Sequence, residues 1–297
     1  MPQNYAYFAL SAVFNEPAGK YQLPHPHISG NKFRKLKYNV LQAKQEGAGC
    51  LLTFGGAYSN HIAATAAAGK EYGFNTIGII RGDELVNKIG DNPTLAFAEQ
   101  CGMMLKFVTR TDYRLKATPE FIAGLRNEFG NFYLVPEGGT NPLAVKGCEE
   151  ILTEGDDKFS HIACAVGTGG TISGLINSAA PHQQVLGFPA LKNDGLADDI
   201  SKYAEKTNWE LVTDYNFGGY GKISKQLVEF INDFFDKTAI PLDPVYTGKL
   251  FFGVIDLIYN GYFPENSDIL LIHTGGLQGI AGMNKELERK KLPIIKI

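Results

Sequence analysis

The chain has 297 residues, 44% of them hydrophobic and 20% charged, enough to bury one large core or two adjoining ones. Its formal net charge of −3, with no block of like charge beyond mixed runs such as Glu286 to Lys291, leaves no electrostatic footprint for nucleic acid or an anionic membrane; small molecules are the expected partners. Four scattered cysteines, Cys50, Cys101, Cys148 and Cys164, form no CxxC pair, which argues against a zinc site and a secreted disulfide framework and reads as four small buried residues in a reducing compartment.

Taken in chain order, Met1 to Leu10 lacks both a basic start and a continuous apolar stretch, and no later run is long enough for a membrane span, so a cytoplasmic location is expected. The segment Asn31 to Glu46 sets Leu36, Val40 and Ala43 at helical spacing, with Asn31 as the expected cap and Gly47 as the stop. From Cys50 onward, short β-branched or apolar runs alternate with longer alanine- and leucine-rich stretches, the pattern of βα units around parallel sheets. Strands are predicted at 50–54, 76–80, 103–108, 132–135, 161–166, 184–188, 210–213 and 269–273. Helices are predicted at 59–72, 92–100, 119–129, 142–152, 171–178, 196–206, 224–235 and 251–260. Four strands precede the Glu137-Gly-Gly-Thr140 loop and the rest follow it, so a boundary near residue 140 is expected, with the two halves packed together.

Three segments carry chemistry. Val166-Gly-Thr-Gly-Gly-Thr-Ile-Ser-Gly174 is a glycine-rich turn between an apolar strand and a helix, where backbone N–H groups and the positive end of the helix converge on an anion. It is not a dinucleotide fingerprint, because the third glycine position falls on Ile172 and the next strand ends at Phe188-Pro189 without an acid for a ribose. No Walker A lysine follows it either. The alternative is a turn whose glycines serve packing alone. Phe54-Gly-Gly-Ala-Tyr-Ser-Asn-His61 sits in a second strand-to-helix turn, where Ser59 and Asn60 can meet the carboxylate of an amino acid or a ring hydroxyl; alternatively Ser59 is only the cap of the alanine-rich helix. Ser29-Gly-Asn-Lys-Phe-Arg-Lys-Leu36 places three cations in four positions, which can depress the pKa of one desolvated amine until it attacks an aldehyde. Without further context the reading as a solvated helix face prevails over it.

Gly30-Asn-Lys-Phe-Arg-Lys-Leu36, Gly55-Gly-Ala-Tyr-Ser-Asn-His61, Gly167-Thr-Gly-Gly-Thr171, Asp243-Pro-Val-Tyr-Thr-Gly-Lys249 and His273-Thr-Gly-Gly276 occur in the order found in the D-cysteine desulfhydrase and 1-aminocyclopropane-1-carboxylate (ACC) deaminase family, which the chain resembles from about residue 28 to residue 279. The resemblance implies an α/β enzyme of the pyridoxal 5'-phosphate (PLP) fold type II, like the tryptophan synthase β chain. Two parallel-sheet domains would hold the cofactor between them: a large one from 1–35 and 140–297 and a small one from 36–139. It also implies a homodimer. Carried over by position, Lys32 resembles the lysine that joins the cofactor as a Schiff base, Asn60 the partner of its ring hydroxyl, and Thr168, Gly169, Gly170 and Thr171 the phosphate loop. Thr274 resembles the partner of the pyridine nitrogen, Ser59 the hydroxyl facing the substrate, and Tyr246 an active-site tyrosine. Ser59, Asn60 and His61 are the implied substrate contacts, and His61 is given no catalytic task.

These roles imply loss of the β-substituent of a small amino acid, with D-cysteine giving pyruvate, sulfide and ammonia. The runner-up is ACC deamination to 2-oxobutanoate and ammonia. Further readings are a β-replacement synthase, whose phosphate loop is similar, and a non-catalytic protein that binds PLP or another anion. One departure bears on the choice: where ACC deaminases are read as Tyr-Ala-His-Leu-Gly-Gly, this chain has Leu271-Ile-His-Thr-Gly-Gly276. Leu271 has no hydroxyl to serve as a second phenol in ring opening, so the desulfhydrase branch is expected.

Overall fold

The computed structural model describes residues 7–12, as a strand, and 30–296. In chain order the elements are β1 (Tyr7–Ala12), α1 (Asn31–Gln45), β2 (Cys50–Gly55), α2 (Asn60–Tyr72), β3 (Asn75–Arg81), α3 (Pro93–Gln100), β4 (Met103–Val108), α4 (Arg110–Tyr113), α5 (Pro119–Phe129) and β5 (Tyr133–Leu134). They continue as α6 (Pro142–Glu149), β6 (His161–Val166), α7 (Gly170–Ser178), β7 (Gln184–Pro189), α8 (Leu196–Ser201), β8 (Trp209–Leu211), α9 (Lys225–Thr238), α10 (Thr247–Tyr259), β9 (Asp268–His273) and α11 (Ile280–Arg289).

The strands form two sheets, a five-stranded one in the order β1-β9-β6-β7-β8 and a four-stranded one in the order β4-β3-β2-β5. Every pairing in both is parallel. The strands are apolar on both sides because helices cover both faces: five consecutive residues of β2, β3, β6, β7 and β9 are buried in each case. On one face of the larger sheet lie Leu227, Ile231, Phe251, Val254 and Leu287 from α9, α10 and α11. On the other lie Ile172, Leu175, Ile176 and Ile200 from α7 and α8.

Helix α1 touches both halves. Its Leu36, Val40 and Ala43 join Leu51, Ala64, Ala67 and Ala68 in the core of the smaller sheet. Its other side lies against α6 so closely that a Cβ on Gly147 would stand 2.0 Å from the carbonyl oxygen of Arg34. The lysine-bearing first turn is therefore fixed from two directions.

The predicted strands and helices are all present, with bounds moved by tertiary contacts. Asn31 is not the cap of α1: Gly30 holds that position at φ 59° with no side-chain cap, and the Asn31 amide instead donates to Thr171 Oγ1 at 3.0 Å. Helix α8 stops at Ser201 rather than 206 because Asn177 of α7 takes the next segment, donating to the carbonyl of Tyr203 and accepting from the backbone N–H of Glu205. Helix α10 starts at Thr247, four residues before its predicted start. Strand β1 and helices α4 and α11 have no counterpart among the predictions. All four cysteines are free, but only Cys148 and Cys164 are buried, while Cys50 and Cys101 are half-buried. No described helix is long and apolar enough to cross a membrane.

Candidate active site

A cleft of about 1120 Å³ opens where the carboxyl ends of the two sheets meet, the position at which parallel α/β sheets bind ligands. Lys32 lies in its wall, on the first turn of α1. The turn is set by Gly30, whose left-handed φ of 59° is easily adopted by glycine. A Cβ there would stand 2.3 Å from the carbonyl oxygen of Thr274, so only glycine lets the start of α1 rest on the turn after β9. Burial and the neighbouring Lys35 pull the Lys32 amine down to about 7, with Cys148 and Asp243 opposing. The sequence suggested that three cations act together, but Arg34 is turned away to a 3.0 Å ion pair with Glu150; Lys35 is the neighbour that lowers Lys32.

Lys35 is the residue whose position the sequence did not announce. It is only 3% exposed, and its ammonium donates to the carbonyl of Gly138 (2.9 Å), to Thr140 Oγ1 (3.1 Å) and to Thr168 Oγ1 (3.4 Å). A Cβ on Gly170 would lie 3.2 Å from its Nζ, so a buried cation faces the first residue of α7. That helix end carries unpaired N–H groups and the positive end of the dipole. No carboxylate among the described residues bridges Lys35, so the charges there match an anion. Together with the hydroxyls of Thr168 and Thr171, this donor set fits a phosphate.

The second turn faces the first across the cleft. Ser59 is the cap of α2, accepting from the backbone N–H of Ile62 at 3.3 Å, and it also lines the cleft. The capping reading is thus correct without displacing the other. Asn60 is half-buried, its Oδ1 is buried without a partner, and its Nδ2 is 2.6 Å from where a Cβ of Gly276 would stand. A side chain from the smaller half thereby meets the glycine turn after β9, with an amide oxygen left for a ligand. Thr274, at the end of β9, lines the same space.

His61 sits beneath this turn, 2% exposed. Thr53 donates its hydroxyl proton to the carbonyl of Val135 at 2.8 Å and so accepts from His61 Nε2, also at 2.8 Å. Burial, then the cations Lys32 and Lys35, hold the imidazole well below its ordinary pKa, so it is neutral.

Tyr246 comes from the start of α10. Both oxygens of the buried Asp243 are occupied there: Oδ1 accepts from the N–H groups of Val245 and Tyr246, and Oδ2 from the N–H and hydroxyl of Thr247, at 2.7 to 2.9 Å. This fixes the backbone of Tyr246, whose phenol overlies the phosphate-loop side of the cleft; a Cβ on Gly167 would lie 3.3 Å from its Oη. A second phenol, Tyr220, comes from the loop between β8 and α9 and meets Tyr246 edge to face at 6.3 Å. Burial raises the pKa of both hydroxyls, so each is a proton donor rather than an oxyanion near neutral pH.

This pair bears on the argument drawn from Leu271. Leu271 lies in β9, 2% exposed and packed in the core with Ala163 and Phe251, and does not line the cleft. The second phenol that lines the cleft is that of Tyr220. The sequence signal for it was an aromatic inside a glycine cluster, Phe217-Gly-Gly-Tyr-Gly221.

A buried amine of lowered pKa beside an anion cradle, with neutral phenols opposite, defines an enzyme that binds a phosphorylated aldehyde cofactor. The family model described as "Pyridoxal-phosphate dependent enzyme" matches residues 20–275, and the chain belongs to that family. A Pyrococcus horikoshii protein provisionally named 1-aminocyclopropane-1-carboxylate deaminase is 33% identical over 85% of this chain and 81% of its own. The mitochondrial bifunctional D-cysteine desulfhydrase/1-aminocyclopropane-1-carboxylate deaminase of Arabidopsis thaliana is 28% identical over 85% of this chain and 70% of its own. A crystal structure of an ACC deaminase homologue superposes with a TM-score of 0.77 at 29% identity, covering 88% of this chain and 84% of the other. The chain is thus a PLP-dependent enzyme of fold type II, related to both the ACC deaminases and the D-cysteine desulfhydrases.

Proposed function

We propose that the protein eliminates the β-substituent of a small amino acid, with D-cysteine as the principal substrate: D-cysteine and water give pyruvate, sulfide and ammonia. The observation that carries the proposal is the placement of the Lys32 amine, lowered to about 7, between the Lys35 and α7 anion cradle and the Tyr246 and Tyr220 phenols.

Bound PLP supplies an aldehyde for an amine and a ring that draws electrons from the carbon bearing the amino group. Lys35, Thr168, Thr171 and the amides of Gly169, the N-cap of α7, and Gly170, its first residue, would hold its phosphate. The Asn60 amide would meet its ring hydroxyl, and Thr274 its pyridine nitrogen. A hydroxyl there cannot enforce ring protonation as a carboxylate would, which favours elimination over transamination. The substrate carboxylate would rest on Ser59 and the N–H groups of Asn60 and His61 at the start of α2. Lys32 Nζ, neutral in a large fraction of molecules at neutral pH, takes the proton from the substrate α-carbon. Tyr246 Oη gives a proton to the departing sulfur, and the hydroxyl of Tyr220, hydrogen-bonded to it, returns a proton from solvent.

Tyr220 favours a second reading, ACC deamination to 2-oxobutanoate and ammonia, because two phenols are available where Leu271 suggested one. Incubation of the PLP-loaded protein with each compound separates the two. The proposal expects equimolar sulfide, pyruvate and ammonia from D-cysteine. Turnover of ACC alone establishes the second reading, and turnover of neither overturns both. The proposal also includes a large domain on the five-stranded sheet and a small one, 36–139, on the four-stranded sheet, with α1 crossing between them, and a cytoplasmic homodimer, whose mass sedimentation equilibrium measures.

A further inference from the structure

The loop that delivers Tyr220 has an unusual backbone. Phe217, Gly218 and Gly219 have φ of 52°, 90° and 115°, and Gly221 has φ 66°. Three successive left-handed residues, one of them aromatic, persist only where the surroundings hold them. The surroundings are α10. Tyr215 donates its hydroxyl proton to Asp256 at 2.8 Å, and Phe217 packs edge to face on Phe252 at 5.1 Å. The third anchor is Lys249, 2% exposed. Its ammonium donates to three carbonyls: Gly219 (2.8 Å), Asn216 (2.9 Å) and Ala190 (3.2 Å). All three donors of the ammonium are used, and two of the acceptors lie within four residues of Tyr220. No ion pair among the described residues claims it. A buried lysine spent entirely on backbone carbonyls is costly to desolvate, and here it ties the Tyr220 loop to the helix whose first residues carry Tyr246.

We propose that Lys249 is a positioning residue: its ammonium gathers the Asn216 and Gly219 carbonyls so that the Tyr220 phenol is presented against Tyr246 in the cleft. The segment Asp243 to Lys249 thereby sets both phenols, Asp243 through the backbone of Tyr246 and Lys249 through the loop of Tyr220. The effect on catalysis rests on the function proposed above; the anchoring does not.

The test compares Lys249→Met, Tyr220→Phe and the double variant with the wild type, all loaded with PLP. Lys249→Met is expected to keep the cofactor absorbance band, since Lys32 and the phosphate cradle are untouched. Amide hydrogen exchange over 215–222 should rise at least about tenfold, and kcat for D-cysteine should fall to the level of Tyr220→Phe. The double variant should be no slower than Tyr220→Phe, the non-additivity expected when one residue acts through the other. A purely structural role predicts multiplied losses instead, and that result overturns the proposal, as does unchanged exchange in 215–222. Should Lys249→Met fail to fold, Gly219→Ala reads the same contact: its Cβ meets nothing closer than 3.9 Å, but a φ of 115° strains alanine and shifts the carbonyl that Lys249 holds. It should show the same loss and the same non-additivity with Tyr220→Phe; kinetics and exchange equal to the wild type overturn the proposal. A wild-type protein inactive on D-cysteine and ACC overturns the function proposed above, and the exchange measurement then decides the anchoring by itself.

Discussion

Lys32 and Lys35 are three positions apart on one helix face; burial lowers the pKa of both, and Lys35 makes Lys32 harder still to charge. For Lys32 the consequence is a pH-dependent stability of the cofactor-free protein. Below about 7 the amine is protonated in folded and unfolded chains alike; between about 7 and the ordinary lysine value of 10.5, only the unfolded chain holds the proton. Its contribution to stability therefore rises with pH across that window. In thermal melts of apoprotein from pH 6 to pH 10, Lys32→Met should flatten this rise relative to the wild type. The same variant should lose the absorbance band near about 410–430 nm that marks PLP joined to an amine, whatever the pH. Lys35→Met should keep the ability to form that band but bind PLP at least about tenfold more weakly, because it removes the one buried cation from the anion cradle; equilibrium dialysis measures the change.

At the scale of elements, two helix starts depend on single residues that tolerate little change. Asp243 accepts four hydrogen bonds at the head of α10, so Asp243→Ala leaves buried N–H groups unsatisfied and should cost on the order of 3 kcal/mol in denaturant unfolding. Gly30→Ala places a methyl group 2.3 Å from the Thr274 carbonyl oxygen at a left-handed φ, which should displace the first turn of α1 and abolish the cofactor band even where the chain still folds. The sequence carried the α10 signal in part. Asp243 stands three residues ahead of the N-cap Tyr246, where its carboxylate gathers the N–H groups of 245–247, but the apolar run from Phe251 drew the predicted start four residues late. Helix α11 was legible in Ile280, Met283 and Leu287 at helical spacing. Strand β1 was not, because its partner is β9, more than 250 residues away, and local pattern says nothing of a pairing at that separation.

At the scale of the whole molecule, the cleft is shared: Lys32 and Lys35 come from a helix that touches both halves, Asn60 and Ser59 from the smaller half, and Thr168, Tyr220, Tyr246 and Thr274 from the larger. A ligand gripped from both sides stabilises the folded state by mass action, about 2.7 kcal/mol at a hundredfold excess over its Kd. Removing PLP by dialysis against a carbonyl-trapping amine should therefore lower Tm, and restoring it should recover the loss in a concentration-dependent way. The sequence by itself determined the class of fold, the parallel strands and the glycine turns, because periodicity and backbone freedom are written locally. It also placed Lys32, Ser59, Asn60, His61, Thr168, Tyr246 and Thr274 in motifs that the fold brings to one cleft. Only the tertiary structure decided that Lys35, not Arg34, is the cation beside Lys32, that Tyr220 and not residue 271 supplies the second phenol, and that Lys249 serves a distant loop. Those outcomes depend on which buried groups find partners across the chain, and the energetics of such pairing are set by packing that no local stretch of residues contains.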